Sequence, residues 1–133
     1  MTDAAMPGPL AAAVANRDAA QVGALLASGV SANDVDDRGQ PALVVATETG
    51  QFRIALLLTD HGADPWFVDE LGFTPAHFTF RSKVAPDSDD GRAREELIAR
   101  FRAAGCPWPP PPRAEVLAAK AAGRWPPHLR AVH

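Results

Sequence analysis

The sequence has no tyrosine, a single cysteine and no long hydrophobic run. With Cys106 alone, no intrachain disulfide can form, and a chain without a disulfide framework is expected in the reducing cytosol. No apolar stretch approaches the roughly twenty residues of a membrane-spanning helix. The opening MTDAAMPGPL lacks a basic region followed by an apolar one, so no signal peptide is expected. Aromatics make up only 7% of the chain, which argues against a β-sandwich, whose strands draw on aromatic and β-branched side chains. Alanine is abundant instead, and small side chains suit closely stacked helices. At 133 residues and 47% apolar content, one domain with a real core is expected. Charge is nearly balanced at −3 but unevenly spread. Residues 1–70 hold ten acids against three bases, and residues 71–133 hold six acids against ten bases. Such asymmetry points to an interaction surface or to two differently solvated faces.

The stretch ELGFTPAHF, Glu70 to Phe78, reads as a turn at Gly72 entering a helix near Pro75, with Thr74 as its cap. The same opening stands 33 residues earlier in degraded form, with Asp36 falling on Asp69 and Gly39 on Gly72. Another 33 residues back, Gly62 falls on Gly29, Leu58 on Leu25 and Ala46 on Ala13. Three copies therefore share one frame, the first without its opening turn. Each reads as turn, short helix, tight connection, second helix, glycine and extended linker. In the middle copy the helices are predicted over Pro41–Glu48 and Phe52–Asp60, with Gly50 between them and Gly62 after them. In the first copy Asp18 to Gln21 is a plausible capping box for the second helix.

A 33-residue period with Gly72, Thr74-Pro75, His77, the inter-helix Gly50, the Leu25-Leu26 pair and Gly62-Ala63-Asp64 resembles the ankyrin repeat. The resemblance covers about residues 8–107. It implies an all-α solenoid of stacked helix-turn-helix units with β-turn fingers, in a single domain over 1–133. The units are an N-terminal repeat at 8–35, a middle repeat at 36–68 and a third repeat at 69–107. Gly105 follows Gly62 by 43 residues rather than 33, so ten residues are inserted, placed at Lys83–Arg92 as a polar loop. The second helix is expected to resume over Ala93–Ala104. Residues 108–133 are read as a proline-rich connector and a capping helix from about Arg113 to Ala122, with Val116 and Leu117 facing inward. Trp108 and Trp125 are expected over the last apolar surface, because an open stack must close its ends.

Chemistry is sparse. Within the resemblance, His77 belongs to the turn network at the start of its repeat. His61 precedes a glycine at a helix C-terminus, where an imidazole suits the dipole. His128 and His133 lie in the tail. No His, Cys or carboxylate spacing fits zinc. Counted from Asp34, a calcium loop finds Gly39 at its sixth place but Val45 where it needs a glutamate. Cys106 has no base beside it in sequence, and Glu95-Glu96 reads as a solvated helix face. No phosphate loop or nucleophile elbow is present. The prolines at 109–112 are read first as a stiff connector and second as an SH3-type ligand. Arg92, Arg94, Arg100, Arg102 and Arg113 make a weak case for nucleic acid.

The resemblance implies a protein-binding module with no catalytic activity, no cofactor, no metal and no membrane partner. Its turns and inner helix face would form a concave surface. The expected reading residues are Asp36, Asp37, Arg38 and Gln40 on one finger and Asp69, Glu70, Leu71 and Phe73 on the next. Trp66 and Phe67 in the linker are candidate aromatic anchors. Acids around aromatics point to a partner protein with a basic surface. A bacterial immunity or antitoxin protein that inhibits a basic toxin is one specific version, in keeping with the Ala, Arg and Pro bias. A repeat-scaffold enzyme using His77, Asp69 and Cys106 is the rival from another class.

Overall fold

A computed structural model describes residues 8–127, which place seven α-helices and no β-strand, only an isolated bridge between Val35 and Pro41. The helices are α1 (Pro9–Ala15), α2 (Ala19–Ala27), α3 (Ala42–Glu48), α4 (Phe52–Asp60), α5 (Pro75–Arg81), α6 (Asp89–Ala103) and α7 (Arg113–Ala121). The chain is all-α, as expected. His128 and His133 lie outside the described residues.

The first six helices pair in chain order, α1 with α2, α3 with α4 and α5 with α6. The short helices α1, α3 and α5 touch in sequence, and so do α2, α4 and α6. Leu10, Val14, Leu43, Phe52, Leu58, Leu97 and Phe101 are fully buried between the two rows. Short helices of seven to nine residues are marginal alone, so this shared core holds them.

The 33-residue frame is legible in backbone geometry. Val30 N–H bonds to Leu25 C=O at 3.1 Å, Ala63 to Leu58 at 3.0 Å and Cys106 to Phe101 at 2.9 Å, each closing the second helix of its pair. Between the helices, Asp18 N–H bonds to Ala13 C=O and Gln51 N–H to Ala46 C=O, at 3.0 and 2.8 Å. That second turn needs a positive φ, which Gly50 supplies at 75° and Arg17, at the equivalent place, at 58°. Arg17 is the one non-glycine residue with positive φ among the described residues. A left-handed side chain costs about 1–2 kcal/mol, against about 0.5–1 kcal/mol for the extra entropy of glycine. Urea denaturation should therefore find Gly50→Ala less stable by about 1 kcal/mol, while Arg17→Gly loses nothing or gains up to about 1 kcal/mol.

Two expectations change. The segment 83–92 is not a ten-residue loop. Helix α6 starts at Asp89, with the Ser88 hydroxyl accepting from Gly91 N–H at 2.9 Å and Asp89 and Asp90 in the first turn, where the dipole favours acids. The connection shrinks to residues 82–88, and Gly91, read as a loop residue, is helical. The terminal helix also has a different seat. Arg113 donates to Leu71 C=O at 3.2 Å, Lys120 to Val68 C=O at 3.4 Å and Trp125 Nε1–H to Trp66 C=O at 2.9 Å. So α7 leans on the turn that precedes α5. Val116 is fully buried, and Leu117, 36% exposed, lies with its side chain against Gly72. Trp108 does meet the helical stack, edge-on to the Phe80 ring at 5.8 Å.

Candidate functional site: a groove beside the second turn

The turns at 36–40 and 69–73 are built alike. Asp36 N–H bonds to Gln40 C=O, and Asp36 Oδ1 accepts from the amides of Arg38 and Gln40, all at 2.9 Å. Asp69 N–H bonds to Phe73 C=O at 3.0 Å, and its Oδ1 accepts from Leu71 and Phe73 amides at 2.9 and 2.8 Å. A short carboxylate that bonds its own turn fixes the turn's shape. Asp36 and Asp69, expected to read a partner, thus organise the fingers on which other residues stand.

His77 is equally committed. Thr74 N–H donates to His77 Nδ1 at 3.0 Å, and His77 N–H donates back to the Thr74 hydroxyl at 3.3 Å, a reciprocal cap on α5. Because a backbone N–H can only donate, Nδ1 is the acceptor and the ring proton sits on Nε2. That proton bonds to Pro111 C=O at 2.7 Å, which ties the proline connector to the start of α5. At the end of α4, His61 Nδ1 lies 3.0 Å from Leu57 C=O, a local closing bond.

Burial, reinforced by the charge of Asp64, pushes the Cys106 thiol up to about 12. It stays protonated at neutral pH and offers no thiolate. Asp69 is held by its own turn, His77 bonds Thr74 and Pro111, and the Cys106 thiol is buried in the core. Among the described residues, no three His, Cys, Asp or Glu side chains gather as a metal site, and no helix is long and apolar enough to cross a membrane.

An open groove of about 960 Å³ lies between the end of α3, the second turn, and α5 with the connection after it. Its apolar wall is Leu71, Phe73 and Phe78. The Phe73 and Phe78 rings stack 5.2 Å apart, and the guanidinium groups of Arg113 and Arg81 lie 4.6 and 5.3 Å from the centre of the Phe73 ring. Leu71 is 62% exposed at the turn tip, the most exposed large apolar side chain described.

Of the residues proposed from sequence, the groove gathers Gln40, Asp69, Leu71 and Phe73. Arg38, Phe67 and Glu70 line a smaller cleft between the fingers, with Lys120. Asp36, Asp37 and Arg38 border another beside α1. Trp66 meets Trp125 edge to face at 5.6 Å and is partly buried under the tail. The reading residues expected on the two fingers and the linker are therefore divided among separate concavities. Missed residues are Arg17, Glu48, Phe78, Arg81 and Lys83. A helical projection of α5 places Phe78 and Arg81 one turn apart on one face, which was the available signal. The late arginines form no continuous patch. Arg92 pairs with Asp89, Arg100 with Asp60 and Glu96, and Arg94 donates to the carbonyls of Thr79 and Phe80.

No protein-family model matches the chain, and no curated protein or solved structure matches it either.

Proposed function

We propose that the chain is a small ankyrin-type solenoid that binds a partner protein in the groove beside its second finger and performs no catalysis. The solenoid reading is supported by three helix pairs in two rows and by equivalent backbone bonds recurring at the sequence period. The observation that carries the binding reading is an exposed Leu71 beside a stacked Phe73–Phe78 pair in an open groove. Apolar anchors at the centre of a concave, partly charged surface are where binding energy concentrates. The engagement of Asp69 and His77 in bonds within the fold and the burial of Cys106 support the non-catalytic side. Glu70 and Asp37, at the finger tips but outside this groove, remain candidates for the rim.

The test is to capture a partner from lysate of the source organism, purify it and titrate it calorimetrically. Leu71→Glu alters an exposed tip whose turn is held through backbone groups. It should weaken binding at least about tenfold, the equivalent of about 1.4 kcal/mol, and leave the thermal midpoint in place. The double variant Asp37→Lys with Glu70→Lys should change affinity less. Equal affinity of Leu71→Glu and wild type would move the site off the groove.

A further inference from the structure

The groove's charges do not cancel once their commitments are counted. Three of its acids and three of its bases are Glu48, Asp69, Asp90, Arg17, Arg81 and Lys83. Asp69 is held by two amides of its own turn. Asp90 accepts from Arg53 N–H at 3.0 Å and pairs with the Arg53 guanidinium at 3.5 Å. Those amide bonds leave the charge of Asp69 in place, so Asp69 and Glu48 are the two groove acids with no base paired to them among the described residues. On the other side, Arg81 and Lys83 are exposed and pair with no carboxylate among the described residues, and Arg17 donates only to Thr49 C=O at 3.2 Å. With Asp90 offset by Arg53, two acids stand against three bases, and Arg113 over Phe73 adds a fourth, so the groove carries a positive excess although the chain as a whole is −3.

On the reading that the groove binds protein, we propose that its ligand is an acidic segment carrying an aromatic or leucyl anchor. The anchor sits against Leu71 and the Phe73–Phe78 pair, and the flanking carboxylates face Arg17, Arg81 and Lys83. This reverses the basic partner expected from the sequence, because three of the four finger acids, Asp36, Asp37 and Glu70, line other clefts. A basic segment would meet Arg81 and Lys83 as like charges, which disfavours it. Bidentate guanidinium–carboxylate bonds would instead fix the segment's register. A peptide fits better than a nucleic acid. The Phe73 and Phe78 rings stack on each other, with Arg81 and Arg113 over Phe73, so no ring pair is open to take a base between its faces.

The probe is a random peptide library displayed on phage, selected against the full folded chain. The best peptide is then resynthesised and measured by fluorescence anisotropy. Enriched peptides should carry Asp or Glu beside an aromatic or Leu residue. Arg81→Glu with Lys83→Glu should weaken the chosen peptide roughly tenfold or more while the chain stays folded at the assay temperature, the midpoint falling only by what the lost Arg81–Phe73 contact and an acid in the last turn of α5 cost. Asp37→Lys with Glu70→Lys should leave it within about twofold, because both acids lie outside this groove. Enrichment of basic peptides, or loss only with the finger variant, would overturn the acidic ligand while leaving a protein-binding module in place. Failure of any sequence to enrich over a Leu71→Glu control would overturn both. Displacement of the peptide by mixed-sequence single-stranded DNA, sensitive to the same two cations, would replace it with a nucleic-acid ligand.

Discussion

Gly91→Ala should lower stability by about 2–3 kcal/mol, although helix propensity alone has alanine better by about 1 kcal/mol. Gly91 sits in the first turn of α6, directly under the connection that enters it. A β-carbon there would lie 2.0 Å from the Ala85 carbonyl oxygen and 2.8 Å from the Pro86 carbonyl carbon. Both neighbours are backbone, so relief requires the connection to move. Moving it disturbs the Ser88 cap, whose hydroxyl also donates to Ala85 C=O at 2.6 Å. Overpacking of about 1–3 kcal/mol plus a weakened cap of about 0.5–2 kcal/mol outweighs the propensity gain. Chemical denaturation of Gly91→Ala against wild type reads the difference. A more stable variant would show that the connection does not rest on α6.

The second large effect concerns the seat of α7. Gly72 and Gly39 hold the same place in the two fingers, with φ of 89° and 78°. A β-carbon on Gly39 meets nothing within 4 Å, whereas one on Gly72 meets Arg113 C=O at 2.7 Å and Leu117 at 3.0 Å. Gly39→Ala should therefore cost only the left-handed backbone penalty, about 1 kcal/mol. Gly72→Ala adds the displacement of α7 and should cost about 3 kcal/mol in all. Because Trp125 bonds to Trp66 C=O and meets its ring, a lifted α7 should also red-shift tryptophan emission in Gly72→Ala and not in Gly39→Ala. Equal losses in the two variants would mean that α7 does not press on the finger.

The repeat frame was visible in the sequence because glycines at fixed offsets mark positive-φ turns, and only a few residue types serve there. Helices α4 and α7 came out within a residue of their predicted limits, since apolar spacing and terminal glycines bound them. The start of α6 was missed because Asp87 to Asp90 and Gly91 look like a loop by composition. Ser88 followed by two aspartates is in fact a helix start that the dipole rewards. The placement of α7 was illegible, because it depends on carbonyls at Leu71, Val68 and Trp66, which no side-chain pattern reports. The candidate site was half legible. Leu71 and Phe73 were chosen from the finger, but Asp36 and Asp69 were assigned outward roles that their turn bonds already occupy. Arg81 and Lys83 join the groove only when α5 packs beside α3, a tertiary fact.

Hydrogen–deuterium exchange of the chain, free and with the partner that the proposed function calls for, tests the proposed recognition groove most directly. Protection is expected over residues 69–73 and 78–84, where the finger tip, the aromatic pair, Arg81 and Lys83 converge. Little change is expected on α2 and α4. Protection confined to those outer helices, with the second finger exchanging as in the free chain, would contradict a groove-binding module.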